Sequence, residues 1–489
     1  MRPTNIALNS LLQTVLCAVS LAQKSNPAQP PFPTPGQMTQ AQRENFPPQL
    51  LDQLAAIRNA ALADDYAYRQ VAHLTENIGP RPSGSAQAKA AVDYVANALR
   101  ELGLEVQLEE VKVPHWVRGA ESAELTEYPQ QAPDSKQKIV LTALGGSGST
   151  PGDGITGDVI VVNDFEQLEE LGHAGVADKI VLFNEIFDQQ KAAAGLAFLA
   201  YGEAVRYRSA GPRFAAELGA AAALVRSVGN ADYRLPHTGF SVPAGIPAGA
   251  VTAEDADLMA HLATQGKVRM HLTLTPQKLA DATSYNVIAD LKGSERPDQI
   301  VLLSGHLDSW DLGTGAIDDA AGVAIAMEAA EILERLRLRP KRTLRVVAWM
   351  DEENGGAGSQ AYSKDHSLEF PRHIAALESD SGAAHPLGFD TKMLDSAIEL
   401  LRPVQAVLQS IGANALQPSN YPPGADIAAM SEAGVPAFGL LQDGRTYFNY
   451  HHTAADTLDK IVPAELRENA AAMAVMGFAL CSMKDPLPR

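Results

Sequence analysis

A run of four apolar residues, Ile300-Val-Leu-Leu303, opens directly onto Ser304-Gly-His-Leu-Asp-Ser-Trp-Asp-Leu-Gly-Thr-Gly-Ala-Ile-Asp-Asp-Ala-Ala-Gly322, and no other junction constrains the chain as much. The run has the length and composition of a buried strand. The Gly-rich sequence after it reads as a loop, and apolar periodicity resumes near Ala320 as a helix. A histidine and several acids therefore stand where a buried strand ends, which is where a metal-dependent hydrolase gathers its ligands.

A chain of 489 residues exceeds one typical core, and its length predicts roughly three domains or two large ones. With 46% apolar and 20% charged residues, it has the balance of a folded globular protein. The net charge of −19, spread without long runs of one sign, argues against nucleic acid or an anionic membrane as partner. At the start, Met1-Arg-Pro-Thr-Asn leads into an apolar stretch from Ile6 to Ala22 that ends in small residues. Residues 1–22 are read as a cleavable secretory signal, which predicts a secreted or extracytoplasmic protein. Asn9, Ser10 and Gln13 interrupt the apolar stretch, and a buried amphipathic helix is the alternative. No other apolar run is long enough to span a bilayer. Cys17 lies inside the signal, behind Leu16 rather than the small residue that lipidation prefers. Once the signal is removed Cys481 stands alone, so neither an intrachain disulfide nor a thiolate metal site is available.

Residues 23–48 contain Pro27, Pro30, Pro31, Pro33, Pro35, Pro47 and Pro48, a composition read as unable to sustain helix or sheet and hence as a linker or removable pro-segment. From 49 to 121 a first α/β part begins. Its clearest helix places Val92, Val95, Leu99 and Leu102 on one face, with Ser83 or Ser85 as cap. Residues 122–284 change texture to short β-rich runs such as Ile139-Val-Leu, Asp158-Val-Ile-Val-Val162, Lys179-Ile-Val-Leu-Phe183 and Ala222-Ala-Leu-Val225, the pattern of an inserted domain. Its Gly145–Gly154 stretch lacks the Gly-Lys-Ser/Thr ending that grips phosphate and is read as an inter-strand loop. The α/β pattern resumes over 285–489. Ile300–Leu303, Thr343–Met350, Ile374–Leu377 and Ala437–Leu441 are predicted strands, alternating with helices such as 320–336 and 393–410. The expected fold is α/β, a mixed, mostly parallel sheet flanked by helices, with ligands gathering at the carboxyl ends of the strands.

Each of those strands ends in metal-ligating chemistry. His306 and Asp308 follow the first, Glu352-Glu353 the second, Asp380 the third, and His451-His452 lies in the loop after the fourth. A single acid or histidine at a strand end is ordinarily a cap or a surface charge, but agreement at every strand is not explained that way. Two histidines and three carboxylates give only nitrogen and oxygen donors, a set that suits zinc, with cobalt or manganese as substitutes. Five ligands exceed one tetrahedral ion. A shared carboxylate between two ions accounts for the count and leaves room for water, and such a pair polarises a carbonyl while acidifying the water.

The motifs His306-Leu-Asp-Ser309, Gly315-Ala-Ile-Asp-Asp-Ala-Ala-Gly322, Trp349-Met-Asp-Glu-Glu-Asn-Gly-Gly-Ala-Gly-Ser359, Glu378-Ser-Asp380 and His452-Thr-Ala-Ala-Asp-Thr457 resemble those of the co-catalytic zinc exopeptidases of peptidase family M28. The resemblance extends through Thr75–Gly84, Pro114–Gly119 and Arg339–Arg345, and so over nearly everything after the Pro-rich segment. It implies two zinc ions per chain: Asp318 as the bridging ligand, His306 and Asp380 on one ion, Glu353 and His452 on the other. Of the adjacent histidines, the motif selects His452, and His451 becomes a pocket residue. Glu352 is implied as the general base, and Asp308 as the carboxylate that orients His306 through its other ring nitrogen. The 122–284 insert resembles a protease-associated domain, and residues 49–121 and 285–489 would form the catalytic domain. The implied substrate is a dipeptide or short peptide cleaved by carboxypeptidase or dipeptidase action, and the ligand set equally fits an aminopeptidase. A homodimer is implied by the family alone. A non-catalytic, receptor-like relative is disfavoured because every ligand and the base are present. No Gly-x-Ser-x-Gly elbow and no His-Glu-x-x-His motif occurs, which excludes the corresponding serine-hydrolase and zincin chemistries.

Overall fold

The computed structural model describes residues 32, 36–231 and 233–489. Residues 1–22, read as a signal, with Cys17, and every proline before Gly36 lie outside the described residues. The described chain packs as two compact units. One is built from the residues up to Val113 together with 282–444 and 457–489, the other from 114–281 and 445–456.

The first unit is organised on a mixed sheet of eight strands. In chain order these are β1 (Glu105–Val113), β2 (Ala282–Leu291), β3 (Arg296–His306), β4 (Arg342–Trp349), β5 (His373–Glu378), β6 (Pro386–Lys392), β7 (Ala415–Pro418) and β8 (Ala437–Gln442). Across the sheet the order is β1-β2-β4-β3-β5-β8-β6-β7. The four middle strands β4, β3, β5 and β8 run parallel, while β2 joins β4 antiparallel and β6 joins β8 antiparallel. The middle strands are nearly continuous apolar runs because both of their faces are covered. Ile288, Leu302, Val347, Trp349, Tyr362, Ala376 and Ala437 form one continuous core on this sheet.

Helices α1 (Ala86–Glu101), α2 (Ala321–Arg335), α3 (Ala357–His366) and α4 (Pro463–Ser482) flank the sheet. Ser85 caps α1 by accepting the Ala88 N–H, and Val92, Val95 and Leu99 are buried, while Leu102 falls just past the helix end. Ser83 is not a cap, and its hydroxyl is used elsewhere. The expected helix over 393–410 is two pieces, Asp395–Leu400 and Arg402–Leu408. Pro403 sits in the first turn of the second piece, where it needs no N–H, and could not continue the first. The Pro-rich reading of 23–48 is corrected over its final third. Thr39 and Gln42 form a reciprocal capping box that starts a helix over Gln40–Asn45, and Pro48 occupies the first turn of the next helix, Pro48–Leu62.

The chain leaves this unit at Val113 and returns at Ala282, which are paired neighbours on β1 and β2. A long insertion there leaves the antiparallel pair intact. The second unit is a separate eight-stranded sheet, with Ile155–Val162, Ile180–Phe183, Ala222–Arg226 and Ala248–Val251 parallel to one another. Two apolar clusters cover its two faces. Residues 445–456 belong with it because Phe448 stacks on Tyr201 at 4.3 Å, its carbonyl accepts the Asn230 N–H, and the His452 carbonyl accepts the Thr238 N–H. Among the described residues, no helix is long and apolar enough to cross a membrane, and Cys481 is a buried free thiol.

Candidate metal centre

β3 runs out at His306, whose ring is almost wholly buried. The chain then loops to Gly315 and forms one irregular turn, Ala316–Ala320, before α2 begins. Asp318 is thereby brought back to the end of β3, its Oδ1 lying 3.1 Å from His306 Nε2. Asp380, two residues past β5, places Oδ1 at 3.4 Å from the same nitrogen. Ligand atoms of His306, Asp318 and Asp380 all lie within 4.8 Å of one another, and Asp318 and Glu353 also offer oxygens within 4.8 Å. Burial alone would depress the His306 imidazole, but Asp380 and Asp318 outweigh it and hold its pKa well above the ordinary value. A site that raises histidine basicity in this way attracts positive charge, and the donor set is one that zinc accepts.

The residues on either side of these ligands explain why the loop holds its shape. Asp319 turns inward: its Oδ2 accepts the His306 main-chain N–H at 3.0 Å and its Oδ1 accepts the Gly322 N–H at 2.9 Å. Burial pushes the Asp319 carboxyl well up. Gly322 is required because a Cβ there would run into the Ser379 carbonyl. Arg81, fully buried, fans its donors over main-chain carbonyls: Leu307 at 2.8 Å, Thr314 at 2.7 Å and Gly315 at 2.8 Å, together with Gly79 at 3.1 Å. One guanidinium therefore clamps both ends of the loop between His306 and Asp318. Asp319 and Arg81 act on backbone groups, which no side-chain pattern signals, and Ser83, a candidate cap in the sequence, instead donates its hydroxyl to Asp308 Oδ2 at 3.1 Å. The Gly315–Gly322 and Thr75–Gly84 motifs contain them without marking these roles.

Glu352 and Glu353 follow β4 in a tight loop, Glu352 half-buried and Glu353 buried. Burial raises the Glu352 carboxyl well above its usual range, the charge of His306 opposes this, and Asp380 and Glu353 add to the rise. Asp308 does contact His306, though through its main chain: His306 Nδ1 lies 3.0 Å from the Asp308 carbonyl oxygen and 3.9 Å from the carboxylate. Glu378 and Asp426 lie nearby in the same unit. Glu378 accepts the Asp426 and Ile427 N–H groups, and burial lifts Asp426 to about 7.

His451 and His452 belong to the second unit. Their rings stack at 3.7 Å, and ligand atoms of His237, His451 and His452 cluster within 4.8 Å. His237 Nε2 lies 3.1 Å from His451 Nδ1. His452 Nδ1 lies 3.3 Å from the Thr238 carbonyl and 3.3 Å from Arg208 Nη1.

A parallel-centred sheet that delivers a histidine and carboxylates to one point from its strand ends, with no thiolate donor among them, defines a metal-dependent hydrolase. Residues 286–476 match Peptidase family M28. Carboxypeptidase Q of Xenopus laevis is 38% identical over 87% of this chain and 88% of its own length, and carboxypeptidase Q of Homo sapiens is 37% identical over 90% of each. The crystal structure of a peptidase M28 precursor from Shewanella amazonensis SB2B superimposes with a TM-score of 0.84 at 36% identity, covering 90% of this chain and 98% of that one. The chain belongs to peptidase family M28 and is a zinc-dependent peptidase.

Proposed function

We propose that the protein is an exported di-zinc exopeptidase acting as a carboxypeptidase or dipeptidase on dipeptides or short peptides. The observation that carries this reading is the convergence of His306, Asp318 and Asp380 on one point at the end of β3. His306 and Asp380 would hold one ion, Glu353 and His452 the other, with Asp318 shared between them. The place of Asp318 beside both His306 and Glu353 supports the sharing. The ions, when bound, polarise the scissile carbonyl and acidify water. Glu352 takes the proton of the attacking water and delivers it to the departing amine, a role supported by a carboxyl whose burial favours holding a proton. The insert is read as protease-associated-like and the 1–22 segment as an export signal, both on resemblance.

The choice of His452 over His451 is supported by an inventory of protons, with tautomers assigned from partners. Arg208 only donates, and its Nη1 lies 3.4 Å from His237 Nδ1, so that nitrogen presents a lone pair and the His237 proton sits on Nε2. That proton faces His451 Nδ1 and occupies its lone pair. With its Nδ1 lone pair engaged, His451 carries its own proton on Nε2 and offers no lone pair to a metal, which leaves His452, whose Nδ1 lies 3.3 Å from both the Thr238 carbonyl and Arg208 Nη1, as the ligand of the pair.

The test joins metal analysis to turnover. Purified protein loaded with zinc should hydrolyse free dipeptides, and Glu352→Gln should keep its metal while losing nearly all turnover. Cleavage of N-blocked but not C-amidated dipeptides supports the carboxypeptidase reading, and the reverse pattern makes it an aminopeptidase. Retained turnover in Glu352→Gln refutes the base assignment.

A further inference from the structure

We propose that the Asp308 carboxylate is the positioning residue for Glu352, holding the base-bearing loop rather than the metal ligand His306. The inference rests on Glu352 being the proton carrier. Asp308 is wholly buried, and its carboxylate is spent on the loop that follows β4. Oδ1 accepts the Asp351 N–H at 2.7 Å and the Glu352 N–H at 3.1 Å. Oδ2 accepts the Glu353 N–H at 3.4 Å and the Ser83 hydroxyl at 3.1 Å. Three successive main-chain amides thus converge on one carboxylate, an anion-holding concavity made possible by the left-handed conformation of Asp351, whose φ is 76°. The loop is closed behind it by the Gly356 N–H on the Asp351 carbonyl at 2.6 Å and the Ala357 N–H on Asp351 Oδ2 at 3.2 Å.

Two contacts separate this role from that of a histidine support. The His306 Nδ1 proton goes to the Asp308 main-chain oxygen at 3.0 Å, a group that every residue type supplies. The carboxylate, at 3.9 Å, is outside hydrogen-bond reach of that nitrogen. Removing the side chain therefore leaves the His306 contact in place and strips acceptors from three amides, one of which is the N–H of Glu352 itself. The direction of the Glu352 side chain depends on that peptide plane. Displacing a catalytic group by about 1 Å costs on the order of 10²-fold in rate.

The experiment compares Asp308→Ala and Asp308→Asn with wild type and with Glu352→Gln, measuring zinc per chain by elemental analysis and kcat and KM on a free dipeptide. Asp308→Ala should retain the wild-type zinc content and lose roughly 10²-fold in kcat, with KM changed only a few-fold. Asp308→Asn, which keeps an acceptor for the Asp351 and Glu352 amides, should fall between the two and carries the test should the alanine variant fail to fold. Loss of zinc from either variant overturns the proposal, because the carboxylate then supports a metal ligand, His306 or Glu353, rather than the base. An unchanged kcat overturns it outright. If Glu352→Gln itself turns over normally, the base reading has failed; if it is inactive while both Asp308 variants are unimpaired, only the positioning role has failed.

Discussion

Two histidine-bearing regions of this molecule, one in each unit, are equally buried and electrostatically opposite. His306 and His237 are each about 1% exposed. Around His306 stand the carboxylates of Asp318 and Asp380, and its pKa lies well above that of ordinary imidazole. Around His237 stand His451, His452 and Arg208, and burial, reinforced by those neighbours in that order, holds its pKa well below. Since burial depresses both rings, the sign is set by the neighbours. The lesson concerns clusters of ligand-type residues: three histidines within reach of one another are not by themselves a cation site when an arginine leans on them, whereas one histidine among carboxylates is.

The strongest way to break this comparison is to remove one ring from each region. His306→Ala is expected to lose zinc and roughly 10³-fold or more in turnover, whereas His237→Ala should keep zinc at the wild-type ratio. Equal zinc loss from both, by elemental analysis, would erase the distinction.

A second test uses a carboxylate of the His306 unit whose burial outweighs the distant charge of Arg335. Glu328, buried in α2, accepts the Ala67 N–H with Oε2, and its Oε1 has no partner among the described residues. Burial raises its pKa from 4.5 to about 7. Below the unfolded value both states are protonated and nothing is lost. As pH rises from about 4.5 to about 7 the unfolded chain gives up its proton first, so this group's contribution falls and is fully unfavourable above about 7, by roughly 3 kcal/mol at most. Glu328→Gln should flatten that slope in denaturant titrations across this range, and an unchanged slope would mean the carboxyl is not strained by burial.

The mildest test sharpens the other side. Arg208→Met removes the cation behind His452 and should tighten zinc retention against a chelator by about tenfold, within the range that outer partners command. Unchanged or weaker retention would show that the arginine's charge is not what separates the two regions.

Much of this arrangement was legible in the sequence. The apolar runs that became β3, β4, β5 and β8 were visible as strands because both faces are buried, and the residues just past them could be read by type. What stayed hidden depends on separation and on backbone chemistry. The carboxylate of Asp308 ends on amides 43 to 45 residues away, and nothing in its local sequence signals an acceptor for N–H groups. Arg81 reads as one basic residue between prolines, although its donors shape a loop 226 to 234 residues downstream. The helix over Gln40–Asn45 was missed because the flanking prolines dominated the composition, while the capping pair Thr39 and Gln42 lay between them.

The assignment of residues 445–456 to the inserted unit bears on how the molecule is made. His237 meets a histidine 214 residues further along the chain, and Arg208 one 244 residues further. During synthesis the insert emerges early, but the segment that gives its arginine and histidine their neighbours emerges only after residue 444, near the end of a chain of 489. Domains ordinarily fold as they leave the ribosome, N-terminal first. Here the last segment of the inserted unit is translated only after most of the other unit, and a transcript truncated before residue 445 would leave His237 and Arg208 without these histidine neighbours.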